Sequence, residues 1–148
     1  MKNKTLAAWL ALVLGPIGAH RVYLFGWRDV IAWALLVPTA LGLIGVQRAR
    51  QLGLDDPWSW VLIPLIGLTI AGCALNAIVY GLMTPEKWNT RFNPSAPVDA
   101  PTGASHWLTI GAVVVALLIG ATALMASLAF GFQRYFEYQV EEARKISQ

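Results

Sequence analysis

Apolar residues in this chain run in long blocks, and the charged residues are gathered into the short stretches between them. The two cleanest blocks, Trp58 to Met83 and Trp107 to Phe132, hold no Asp, Glu, Lys, Arg or His. About 20 helical residues cross the roughly 30 Å of hydrocarbon in a bilayer, so each block predicts a transmembrane helix with length to spare for tilt. Each opens on tryptophan, a residue of the membrane interface. Before the first, Asp55, Asp56 and Pro57 supply a cap and a proline for the opening turn.

A third block, Val30 to Val46, predicts a helix over about 30–52 that starts at Asp29 and stops at Gly53. Pro38 lies inside it and should kink it. The first block, Thr5 to Ala19, is different, being short for a span and interrupted by Gly15, Pro16 and Gly18. Helix should break near Gly15. With Lys2 and Lys4 ahead of it this block imitates a secretory signal peptide, but Ile17 and Ala19 make a poor cleavage site. The pattern therefore predicts an all-α integral membrane bundle of four apolar segments, the first short and broken. It divides into a helical hairpin over 1–53, with segments at about 5–26 and 30–52, and a pair of long spans over 54–148, at about 57–83 and 107–132.

The connection Thr84 to His106 holds Pro85, Pro94, Pro97 and Pro101 and should be largely irregular. Its start, Thr84-Pro85-Glu86, reads as a helix start, and Trp88 and Phe92 fall on one face. A short helix lying in the membrane interface is expected there. Beyond Phe132 the sequence keeps helical character, with Glu137, Glu141 and Lys145 at four-residue intervals. The last span should therefore continue out of the bilayer, with Tyr135, Phe136 and Tyr138 where it leaves.

Composition agrees with a membrane protein: 57% of the 148 residues are hydrophobic, 13% are charged, and the mean hydropathy is +0.56. The net charge of +3 is too small to suggest nucleic acid. Cys73, alone of its kind, and two distant histidines give no metal-ligand spacing, so neither metal nor cofactor is expected. No nucleophile motif, carboxylate pair or phosphate loop appears, which points away from an enzyme.

The densest stretch is Gly15 to Gly26, GPIGAHRVYLFG. Its glycines and Pro16 permit a sharp reversal and close backbone approach. His20 and Arg21 then need a headgroup surface or a polar pocket, and Asp29 is the nearest acid for Arg21. Through Gly15, Gly18, His20, Arg21, Tyr23 and Leu24 the stretch resembles the TM2 domain family, whose members pair two membrane helices around a connection reading roughly G-x-x-G-x-H-R-F-Y-L-G. Val22 stands where that pattern has Phe, and Phe25 displaces its last glycine to Gly26. The resemblance covers about Met1 to Val46 and implies a small membrane module without an agreed activity. The other two spans look like a longer bacterial form of such proteins, which implies the bacterial cytoplasmic (inner) membrane.

Candidate contacts to lipid headgroups or a partner are His20, Arg21, Tyr23, Trp27 and Arg28, with Gly15, Pro16, Gly18 and Gly26 setting the turn. For helix packing the candidates are Asn76, whose amide should bond another helix, and a stripe of Ala112, Ala116, Gly120, Ala123, Ser127 and Gly131. That stripe suits packing within the chain first and self-association second. If all four segments cross, Lys2, Lys4, Arg48, Arg50, Arg134, Arg144 and Lys145 share one side against Arg21, Arg28, Lys87 and Arg91. The positive-inside rule then puts both termini in the cytoplasm; if the first segment does not cross, the N-terminus changes side. The expected role is a noncatalytic accessory or interaction module, in contact with membrane lipids and other membrane subunits or copies of itself; the alternative is a small transporter or oligomeric channel.

Overall fold

The structure, a computed structural model, describes residues 1–147. It is an all-α membrane bundle: α1 (Lys4–Val13), a 3₁₀ turn (Gly15–Ile17), α2 (Ala19–Phe25), α3 (Val30–Ala34), α4 (Leu36–Leu52), α5 (Pro57–Leu82), α6 (Pro85–Phe92), a second 3₁₀ turn (Pro101–Gly103) and α7 (Trp107–Ile146). Three helical stretches are long and apolar enough to cross a membrane, at Val30–Leu52, Pro57–Leu82 and Pro101–Ile146, while α1 is too short.

Helices α5 and α6 begin where the sequence supplies caps. Asp56 accepts from the Ser59 amide with Pro57 following it, and Thr84 accepts from the Lys87 amide ahead of α6. The third span does kink, at Leu35, three residues before Pro38. A proline clashes with the carbonyl four residues back, here that of Ala34, so the ladder opens just there. Continuous over 40 residues, α7 is about 60 Å long at 1.5 Å per residue. It crosses the bilayer and runs on past it, with Tyr135, Phe136 and Tyr138 exposed.

The axis of the bundle is the pair α5 and α7, and the small-residue stripe of α7 is what closes it. Ala112 and Ala116 are fully buried, Ser127 packs on Gly67, and Gly120 sits where an added methyl would lie 2.7 Å from the Ala74 Cβ. Packing within the chain thus uses most of the stripe. Gly131 instead lends its carbonyl to the Trp60 indole at 3.2 Å, and the half-buried Ala123 meets Gly67 through its backbone. On another face of α5, α4 comes close over the half nearer their connecting loop. Gly42 lies against Ile66 and Gly45 against Leu62, where added methyls would meet side-chain carbons at 2.5 and 2.6 Å.

Nearer the other end, the first apolar segment separates α5 from α3. It does not cross. From the level of Met83, α1 descends beside α5 until Gly15 touches Cys73, about 14 Å below the end of α5 at 1.5 Å per residue. The chain turns there, and α2 climbs back until the Leu24 carbonyl accepts from the Lys2 ammonium and the Tyr23 hydroxyl from the Asn3 amide. Of the two cases left open by the sequence, the structure has the second: α1 and α2 form a re-entrant hairpin, because ten helical residues cannot span the hydrocarbon.

Met1 and the α6 end lie on one side of the bundle, and the Arg48–Asp56 loop and the α7 tail on the opposite side, the arrangement expected when the first segment does not cross. Lys2, Lys4, Arg21, Arg28, Lys87 and Arg91 now balance Arg48, Arg50, Arg134, Arg144 and Lys145, and the positive-inside rule no longer selects a side.

The expected interfacial helix is present as α6, but Trp88 and Phe92 are turned inward, buried against Tyr80. In a background with Cys73 replaced by Ala, single cysteines at Asn3 and Ser95 should label from one side of sealed vesicles, and those at Leu54 and Ser147 from the other. Labelling of Asn3 together with Leu54 would reject the re-entrant hairpin.

Candidate functional site

The site is built from the hairpin and from the α5 face that it covers. Its tip is a single 3₁₀ turn, whose backbone is satisfied partly by a neighbour and partly within the turn. The Thr39 hydroxyl donates to the Pro16 carbonyl at 2.8 Å, and the Gly18 amide to the Gly15 carbonyl at 2.8 Å. Gly18 takes φ +76° and lies directly on the Ala32 carbonyl, which no side chain would permit. Gly26 ends α2 at φ +90° with open space around it. The four turn residues inferred from sequence thus all lie in the hairpin, each with an identifiable role.

Next along the chain, Arg21 meets Asp29 through Nε at 2.6 Å. The guanidinium beside it holds the Asp29 carboxyl below the usual carboxylate range, and the same Asp29 caps α3 by accepting from the Ile31 amide. Tyr23 is occupied at the Asn3 amide. Trp27 and Arg28 are exposed, Trp27 stacking on Trp33 with ring centres 5.4 Å apart. Of the five candidate contact residues, Trp27 and Arg28 therefore face outward and His20 faces inward. Arg21 and Tyr23 are taken up in holding the hairpin.

His20 is fully buried, and neither ring nitrogen has a hydrogen-bond partner. Its ring lies 6.1 Å from that of Tyr80 on α5. Thr69, Cys73, Asn76 and Tyr80 follow one another at three- and four-residue steps, which places them on one side of α5, the side where Cys73 meets Gly15 and Tyr80 meets His20. The expectation that Asn76 bonds another helix is not met: its amide donates to the Gly72 carbonyl of its own helix at 3.1 Å. A long polar side chain reaches the preceding turn more readily than a neighbour across a seam.

The residues that fasten the hairpin were not evident from the sequence. Lys4 is wholly buried and donates to the Met83 carbonyl at 2.8 Å and the Ser105 hydroxyl at 2.7 Å, a cation placed at a helix C-terminus. Trp88 of α6 and Asn93, which caps its C-terminus, both donate to the Lys2 carbonyl at 3.0 Å, and the Lys2 amide donates to Asn93 at 2.6 Å. The only signal was that Lys2, Asn89 and Asn93 are polar residues beside apolar blocks, which describes any solvated flank as well. Among the described residues no group of three or more His, Cys, Asp or Glu could hold a metal ion.

No family model matches the chain, and no solved structure matches it. It is 27% identical over 124 residues to the Na(+)/H(+) antiporter NhaA of Acidovorax sp. (strain JS42). That match takes in 80% of this chain but 30% of the antiporter, so the chain spans less than a third of that relative's length.

Gly18→Ala should cost about 2–3 kcal/mol through backbone strain and contact with the Ala32 carbonyl. Gly26→Ala, with the same kind of φ and open space, should cost about 1 kcal/mol; unfolding in mixed micelles measures both. Because the Asp29 carboxyl is lowered in the fold, its contribution is present above the ordinary carboxylate pKa of about 3.9 and is lost only as pH falls through the lowered value. The stability gap between wild type and Asp29→Asn should therefore persist at pH 5 and close only under stronger acid, followed by melting against pH.

Proposed function

We propose that the protein is a noncatalytic membrane protein that passes a small ion or polar solute through the bilayer as one part of a larger assembly, with the re-entrant hairpin as its working element. One observation carries this reading: a helix pair that enters half the membrane, breaks there, and sets a buried, unpartnered His20 against a polar row on α5. Broken helices that end inside the bilayer are a recurrent way of building solute and ion sites in transporters. The similarity to an antiporter points the same way. Three spans and a hairpin enclose little on their own, so other copies or other chains complete the pathway. The TM2-like motif is then the hairpin itself, and the membrane is the bacterial cytoplasmic one.

A second reading, an accessory or interaction module, is favoured by α7, whose tail leaves the bundle with Tyr135, Phe136 and Tyr138 uncovered. On that reading the tail meets another subunit. Either way the outward-facing Trp27 and Arg28 sit among lipid headgroups.

Flux separates the two. The protein, purified gently with whatever copurifies and sealed into liposomes under Na⁺, K⁺ or pH gradients, should dissipate at least one gradient faster than protein-free vesicles. His20→Ala should slow that dissipation severalfold. No flux under any gradient, together with a stable copurifying subunit lost on deletion of residues 135–148, would replace the transport reading with the second.

A further inference from the structure

The hairpin holds one group that its own packing does not account for. A neutral imidazole carries one N–H donor and one acceptor nitrogen, and buried polar groups in folded proteins are nearly always hydrogen-bonded. In His20 both are buried and both lack a protein partner. Two further groups, on the side of α5 that the hairpin meets, carry an atom that makes no hydrogen bond among the described residues, although neither atom is fully buried. Tyr80, 6% exposed, makes no hydrogen bond through its hydroxyl among the described residues. Asn76 lies one turn below Tyr80, and a helical side chain leans toward the preceding turn. The Asn76 amide nitrogen is bonded within α5, and its carbonyl oxygen receives nothing among the described residues.

Charge narrows what these groups can hold. The charged groups beside His20, Arg21 and Asp29, are bonded to one another, and full burial of His20 disfavours bringing a charged ligand against it. The remaining chemistry is a molecule that donates and accepts at once and is small enough for the seam between two packed elements.

We infer that His20, Tyr80 and Asn76 form a water-binding site in the seam between the hairpin and α5, with water bridging the imidazole to the phenol and the amide carbonyl. Asn76, partly exposed, is the site's outer member, and His20 its buried end. The site deepens the transport reading and rests on it for its use, since a polar solute entering the hairpin would exchange with this water; its geometry stands apart from that reading.

The test is water-edited solid-state NMR of the full chain in lipid bilayers, labelled with ¹⁵N-histidine, with His106→Gln used to assign the His20 signals. The His20 ring nitrogens should receive magnetisation from water as hydrated groups do. Tyr80→Phe, which keeps the ring, should slow that transfer severalfold by removing one of the groups that hold the water, and Asn76→Leu should slow it as well. Unchanged melting of both variants shows that the bundle is intact. Transfer no faster than to a buried aliphatic carbon overturns the site, and so does transfer indifferent to both substitutions. A hydrated His20 in a protein that passes no flux keeps the site and removes the transport reading; flux through a protein with a dry His20 does the reverse.

Discussion

The arrangement depends on a single constraint: a backbone that turns inside the hydrocarbon must find hydrogen-bond partners within the protein. The first apolar segment is too short to cross and too apolar to stay outside, so it turns at mid-membrane and needs walls. Gly42 and Gly45 let α4 close on α5 below the turn, while above it α3 and α5 stand apart to receive the hairpin. Thr39 serves the tip, and at the open end Lys4 serves the last carbonyl of α5. Burying an ammonium is costly unless it is bonded; the carbonyl and hydroxyl on Lys4, at the negative end of a helix, offset that cost.

The two ends of the bundle are fastened by different chemistry. At the N-terminal end a neutral network of Asn89, Asn93, Thr102 and backbone carbonyls is buried beneath the loop after α6. At the opposite end ion pairs hold the surface. Arg48 grips Asp56 through two bonds of 2.9 and 2.8 Å, and Arg134 joins Glu137 and Asp55. Bidentate contact with Arg48 and a bond from Ser59 keep the Asp56 carboxyl far below the usual carboxylate range. The Arg134 pairs, whose acidic partners are exposed, contribute little individually, so at that end the part-buried, bidentate Arg48–Asp56 pair is the firmer hold.

The spans, the cap at Asp56, the kink near Pro38 and the packing stripe of α7 were legible in the sequence, because each follows from local pattern: apolar length, a capping residue, a proline, small residues at helical spacing. The break at Gly15 was legible too, but its consequence was not. Whether a broken segment crosses or returns depends on what lies beside it, and nothing local to residues 5–26 reveals Cys73 or Met83 as neighbours. Asn76 failed as helix glue for a related reason, since a carboxamide has a partner within its own helix. Lys2 and Lys4 read as flanking charge because their acceptors, at Leu24, Met83 and Ser105, are backbone or hydroxyl groups that leave no complementary charge in the sequence.

The fastening of Lys2 and Lys4 also sets an order of assembly. Lys2 and Lys4 leave the ribosome well before Met83, Trp88, Asn93 and Ser105, the residues that hold them, so the hairpin has no fixed place until those residues have been made. Long-range closures of this kind form late, after local helices are in place. During synthesis the first apolar segment must therefore wait, inserted but unclasped, at the membrane surface or against passing lipid. An early arrest of translation, before α6 emerges, would leave the first apolar segment without the clasp that fixes its place.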